Sequence, residues 1–173
     1  KICKYSENDQ FYFGSLSGNK EKQVRLLSLL TAAGINAFNP ENITDRIWKK
    51  FFRISTAATL TSYYNLPIGK VLDLHTDDLL ALADEFIAVA TAMGISFPPN
   101  SRDEILEGQR KMPYNSTTSM HSDFLKGAQT ELESITGYIV QCAKDLNIEV
   151  PCYLRMYNEL KTNYTNIYNN PNN

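Results

Sequence analysis

Hydrophobic and polar positions divide the chain into a short mixed stretch and a long helical one. Residues 10–16, Gln10-Phe11-Tyr12-Phe13-Gly14-Ser15-Leu16, read as a strand ended by Gly14. Helical spacing follows from about Lys20, with Val24, Leu27, Leu30 and Ala33 on one side and Gly34 as the stop. Ile35 to Phe38 reads as a second short strand. From Asn42 onward the pattern is helical. One long helix is predicted from Ile43 to Tyr64, ended by Asn65-Leu66-Pro67. Thr76 is expected to cap another, with Asp77 and Asp78 in its positive first turn and Gly94 just past its end. Ser101-Arg102-Asp103-Glu104 reads as a capping box before a shorter helix that stops near Pro113. Further helices are predicted from Thr130 to Asn147 and from Cys152 to about Ile167, and the tail from Asn169 to Asn173 is expected to be disordered.

The β-α-β stretch is too small to enclose a core, so it reads as the tail of an α/β domain whose body lies upstream. The remainder has the apolar content for a real core, 43% over the whole chain of 173 residues. The fold class expected is therefore mainly α, with a short β-α-β remnant in front. A net charge of −2 argues against a nucleic-acid partner, which normally meets a basic face. The longest apolar run, Phe86 to Phe97, contains a glycine and falls short of the roughly 20 residues a membrane span needs. No basic, apolar and small-residue leader opens the chain, and Lys1 stands where a methionine would start it, so it reads as a cut piece. Cys3, Cys142 and Cys152 are odd in number and form no CxxC, which points to a reducing cytoplasm and to no metal site. The N-x-S/T matches at Asn42, Asn115 and Asn163 are expected by chance in a chain so rich in Asn and Thr.

Helical phase separates two adjacent lysines. At roughly 100° per residue, Ile47, Phe51, Ile54, Ala58 and Thr61 form one stripe, and Lys50 falls on it while Lys49 points away. An inward lysine must snorkel, pair or line a cavity, because an unpaired buried ammonium is costly. In the Thr130–Asn147 segment, Leu132, Ile135, Ile139, Cys142, Ala143 and Leu146 define the inner face. Glu131 lies at the margin of that face in the first turn, where the helix dipole favours its ionised form. It is either a complement to the dipole or a site residue. Glu133 lies opposite and is expected to complete a capping box with Thr130. His121 sits in a polar segment with only His75 elsewhere, so it lacks metal partners and reads as a surface histidine. Ser119 has no neighbouring base to make it a nucleophile, which leaves substrate hydrogen bonding as its one sharp role.

Six motifs follow one another over about residues 40–160. They are Trp48-Lys49-Lys50, Asn65-Leu66-Pro67-Ile68-Gly69, Ser119-Met120-His121-Ser122-Asp123, the run from Gly127 to Glu133, Gly137-Tyr138-Ile139-Val140 and Val150-Pro151. Their order and spacing resemble the ketopantoate reductase (2-dehydropantoate 2-reductase) family. The resemblance implies a C-terminal helical domain of the 6-phosphogluconate-dehydrogenase-like type. It divides the chain into 1–40, the tail of a nucleotide-binding Rossmann-like domain; 41–168, the helical substrate-binding and catalytic domain; and 169–173, the tail.

It further implies NADPH-dependent reduction of a small-molecule 2-keto acid in pantothenate biosynthesis, with the cofactor held mainly by the N-terminal domain; no membrane partner is expected, and oligomeric state is left open, with a homodimer as one option. By the same resemblance Lys50 is the proton donor, Glu131 the partner of the substrate hydroxyl and Ser119 the group near the substrate carboxylate. Ile54, Ala58, Ile68 and Ser116 stand where the family often carries asparagines, which opens the way to a different 2-keto acid. No GxGxxG follows a strand, so cofactor residues are unassigned and these 173 residues alone are expected to be inactive. A paralogous reductase and a non-catalytic helical interaction module are the other readings.

Overall fold

The computed structural model describes residues 10–15 and 18–169, the side chains of 164–169 excepted. Leu16, Cys3 and the tail from Asn170 lie outside the described residues. Those described form two strands and eight helices: β1 (Phe11–Tyr12), α1 (Lys20–Ala32), β2 (Ala37–Phe38), α2 (Ile43–Tyr64), α3 (Ile68–Leu74), α4 (Thr76–Ala92), α5 (Ser101–Arg110), α6 (Ser119–Lys126), α7 (Leu132–Asp145) and α8 (Pro151–Asn169). They fall into two compact units, one through Ile47 and one from Trp48 onward.

The first unit is the β-α-β stretch with the start of α2. β1 and β2 pair in parallel, Phe11 opposite Ala37 and Tyr12 opposite Phe38. The Asn19 side chain caps α1 by accepting from the Lys22 N–H at 3.0 Å. Gly34, at φ 76°, ends the helix in a left-handed turn that a side chain would strain. α1 buries none of its residues: Val24 is 64% and Leu29 59% exposed. Order here comes from local bonds and from contacts such as the Arg46 guanidinium 3.8 Å above the Tyr12 ring.

The second unit closes a core. Trp48, Phe52 and Leu60 of α2, Leu79, Leu82 and Phe86 of α4, Ile139 of α7 and Tyr153 and Met156 of α8 pack in one buried cluster. Phe86 sits at its centre, with the Phe52 ring at 4.9 Å and the Phe51 ring at 5.4 Å. Glu85, one residue earlier on α4, accepts the N–H groups of Cys152 at 2.7 Å and Tyr153 at 2.8 Å. A helix start leaves such donors without an intrahelical partner, and Pro151, the first residue of α8, has no N–H, so α4 caps α8 from outside. Burial is the largest influence on the Glu85 carboxyl and raises its pKa, although both N–H bonds pull the other way.

α2 has the predicted ends, but α3 and α6 were not anticipated. At seven and eight residues they span about two turns, too few for periodicity to register. Thr76 does not cap α4. It is the first helical residue after His75, and its hydroxyl bonds back to the Leu72 carbonyl of α3. Ser101 is likewise inside α5, which has Asn100 at its cap. α7 begins at Leu132 rather than Thr130.

Candidate active site

Thr118 opens α6 with extended backbone, its hydroxyl accepting from the His121 N–H at 3.3 Å and sharing a 2.9 Å hydrogen bond with Thr61 of α2. Ser119 is therefore the first residue of a helix whose start is tied to α2. Glu131 stands at the N-cap of α7, and its side chain bonds no helix N–H. Instead it accepts the Ser119 hydroxyl at 3.4 Å. The structure thus brings together two of the three residues singled out from sequence. Both are exposed, at the junction between the starts of α6 and α7.

Lys50 lies on the other contributing helix, and its expected inward placement is corrected. Lys50 is exposed, as are Ile47 at 56% and Ile54 at 40%. The buried face of the first half of α2 is Trp48, Phe52 and Ser55. The stripe misled because large aromatic rings claim the core, and because the polar residues beside them are buried too. The Ser55 hydroxyl pairs with Tyr153 at 2.9 Å, Thr59 pairs with Thr136 at 2.8 Å, and Thr56 bonds the Phe52 carbonyl at 2.9 Å. Paired in this way, hydroxyls sit in a core without a large penalty. Glu131, expected at the margin of the α7 stripe in its first turn, is an exposed cap residue outside the helix.

The three residues are nonetheless related through α2. Lys50, Ile54 and Ala58 recur every four residues along one side, about 12 Å from first to last at 1.5 Å per residue. Ala58, the last of them, is 1% exposed and packs with Met120 and Leu132, the residues that follow Ser119 and Glu131. The side of α2 that carries Lys50 therefore leads to the junction holding the serine–glutamate pair. Lys50 makes no hydrogen bond or ion pair among the described residues, so its ammonium is available.

Other expectations change as well. Glu133 completes no capping box: it accepts the Tyr157 hydroxyl at 2.6 Å and pairs with Lys161 at 3.0 Å. The Tyr157 bond is the main reason that its carboxyl is held below the ordinary range. His121 is not a surface residue but 5% exposed, on α6, with Nε2 2.8 Å from Asn65 Oδ1 and Nδ1 bonded to the Thr117 hydroxyl. Its partners lie outside any periodic signal; the segment's polarity read as solvent when it was partnership. Ile68 is 1% exposed and faces the core, while the Ser116 hydroxyl bonds the Pro113 carbonyl at 2.7 Å. Beside them the Tyr114 ring covers Gly69 so closely that a Cβ would sit 2.2 Å from it, so only glycine fits.

The first unit holds an open cleft of about 390 Å³ lined by Gly14, Lys20, Gln23, Asn39, Asn42 and Thr44 among others. Its amides are already engaged: Asn39 donates to Gln23 at 2.9 Å, and Asn42 accepts the Thr44 N–H at 3.0 Å. At Gly14, a Cβ would lie 2.5 Å from Ile43, so the glycine serves side-chain packing rather than the approach of a phosphate. The described residues do not fit a dinucleotide cradle. They also contain no group of three or more His, Cys, Asp or Glu that could hold a metal, and no helix long and apolar enough to cross a membrane.

The same architecture occurs in solved dehydrogenases and reductases. The 2-dehydropantoate 2-reductase of Porphyromonas gingivalis W83 superposes with a TM-score of 0.72 and 39% identity, over 88% of this chain and 46% of that one. A D-mandelate dehydrogenase solved with NADH and anilino(oxo)acetate gives 0.79 over 91% of this chain and 67% of its own, at 19% identity, a likeness of fold alone. The helical unit thus has the 6-phosphogluconate-dehydrogenase-like fold that these solved proteins share. In sequence, the 2-dehydropantoate 2-reductase of Pyrococcus abyssi is 30% identical over 92% of this chain and 54% of its own. The family described as Ketopantoate reductase PanE/ApbA C terminal matches residues 42–164, and the chain belongs to it. The chain spans about half the length of the curated relatives it matches.

Proposed function

We propose that the chain supplies the substrate side of an NADPH-dependent 2-keto acid reductase, with ketopantoate as the default substrate. The observation that carries this reading is the Ser119–Glu131 pair at 3.4 Å, at the end of the α2 side on which Lys50 stands. Reduction of a ketone leaves an alkoxide that must take a proton. The Lys50 ammonium can give that proton, and before doing so its charge offsets the developing oxyanion. Glu131, with one oxygen engaged by Ser119, can accept a hydrogen bond from a substrate hydroxyl. Ser119 can turn its hydroxyl from Glu131 to the substrate carboxylate. When bound, the reduced nicotinamide supplies the hydride. The described residues offer it no phosphate cradle, so we assign it to a nucleotide-binding domain of which residues 1–40 form the tail, and residues 41–168 to the substrate-side domain.

The test is Lys50→Ala in the full-length protein. Loss of general acid catalysis should lower kcat by about 10²–10⁴, with far-UV circular dichroism unchanged because Lys50 is exposed. An unchanged kcat would leave the helical interaction module as the surviving reading. The 173-residue chain alone should show no NADPH-dependent turnover.

Exposed Ile54, one turn beyond Lys50, favours a second reading. An apolar side chain there cannot hydrogen-bond a substrate hydroxyl, and it suits a 2-keto acid with an apolar substituent. Comparing kcat/KM for ketopantoate with that for unhydroxylated 2-keto acids of similar size decides between the two.

A further inference from the structure

We infer that His121 is a positioning residue that holds the first turn of α6 so that the Ser119 hydroxyl faces Glu131. This rests on the reading above in giving Ser119 a substrate to meet. The α6 start is anchored on both sides of Ser119. Before it, the Thr118 hydroxyl bonds Thr61 at 2.9 Å. After it, His121 Nε2 bonds Asn65 Oδ1 at 2.8 Å, across 56 residues of sequence.

The geometry is over-determined. His121 is 5% exposed and is the largest side chain in the turn with polar atoms on both edges of its ring. Its Nδ1 meets the Thr117 hydroxyl. With Asn65 Oδ1 able only to accept, Nε2 carries the proton and Nδ1 accepts from Thr117, the pattern of a neutral imidazole. Burial lowers the His121 pKa, which favours that neutral form. Asn65 is itself held at φ 51°, a left-handed backbone that asparagine tolerates better than most residues. Its side chain is thereby directed by the turn that ends α2. The imidazole transfers the position of α2 to α6 through a rigid ring with two satisfied ends. Met120, between Ser119 and His121, is fully buried and can only seat the turn against Ala58 and Leu132. It carries no directional bond, so the orientation about the helix axis falls to His121 together with the Thr118–Thr61 bond.

The experiment compares His121→Leu, His121→Gln and Asn65→Gly in the full-length protein. Glutamine can keep a donor near the Nε2 position, and leucine cannot. Glycine accepts the left-handed turn while removing the acceptor, which guards against a leucine variant that fails to fold. Amide hydrogen exchange at residues 121 and 122, whose N–H groups bond the Thr118 hydroxyl and carbonyl, should quicken by about tenfold in His121→Leu and Asn65→Gly, remain slow in His121→Gln, and be unchanged in α7 in all three. KM for the keto acid should rise about tenfold with kcat within about twofold, and the Leu/Gly double variant should add nothing further. Unchanged exchange in the α6 turn, equal damage from glutamine and leucine, or full additivity in the double variant would overturn the inference. Quickened exchange in a protein whose parent reduces no 2-keto acid would support the anchor and sink the reductase reading instead.

Discussion

The two units form their helices by similar local means and differ in what those helices then bury. α1 has a side-chain cap, a left-handed glycine after its end and apolar residues at helical spacing, yet it buries no residue. α4 has acidic residues in its first turn and Gly94 at φ 82° beyond its end, and six of its residues are buried. Local chemistry is therefore enough to set where a helix runs, and it says nothing about whether the helix has anything to lean on. Burial supplies most of the stability of a helix in a protein. The second unit should thus carry the stability of the chain.

The largest expected effect tests that contrast directly. Phe86→Ala should cost about 3–5 kcal/mol, because it empties the centre of the aromatic cluster, whereas Leu29→Ala on α1 should stay within about 0.5 kcal/mol. Urea denaturation followed by circular dichroism measures both; similar losses would mean that the first unit has a core of its own. A smaller effect concerns the buried hydroxyl pairs. Thr59→Val or Thr136→Val alone leaves one hydroxyl without its partner and should cost about 1–3 kcal/mol, while the double variant should recover much of that loss. Additive losses in the denaturation midpoints would show that the pair is incidental.

The smallest effect is one of pH. Burial depresses the His121 pKa, so between that value and the ordinary one near 6.5 the unfolded chain binds more protons. His121 therefore contributes stability that is present above about pH 6.5 and is lost as pH falls through its folded-state value. Glu85 acts in the opposite sense: its raised pKa gives stability that is lost as pH rises from the acid side. Thermal melts of the parent chain should decline below about pH 6.5, and His121→Gln should show a shallower decline. Identical slopes would place the titration elsewhere.

Much of the architecture was legible in the chain. The ends of α2, the stops at Gly34 and Gly94 and the β-α-β order of the start follow from local signals, while the two strands are shorter than expected and their parallel pairing is set by the fold; the motifs from Trp48 to Val150-Pro151 carry the family. The candidate site was legible only as residue types. Ser119 and Glu131 meet as a pair because two helices that periodicity missed or misplaced by two residues both begin at the same junction. The stripe predicted to hold Lys50 is buried only in part: Ala58 and Thr61 are inside and Phe51 is half-buried, whereas Ile47, Lys50 and Ile54 are exposed.

The sequence by itself determined where most helices begin and end, because caps, left-handed turns and apolar spacing act within a few residues. Only the tertiary structure decided which side of α2 is inside. Whether Ser55, Thr59 or His121 can be buried depends on Tyr153, Thr136 and Asn65, which lie 98, 77 and 56 residues away. A polar group enters a core when its partner arrives with it, and the partner's position is a property of the folded chain.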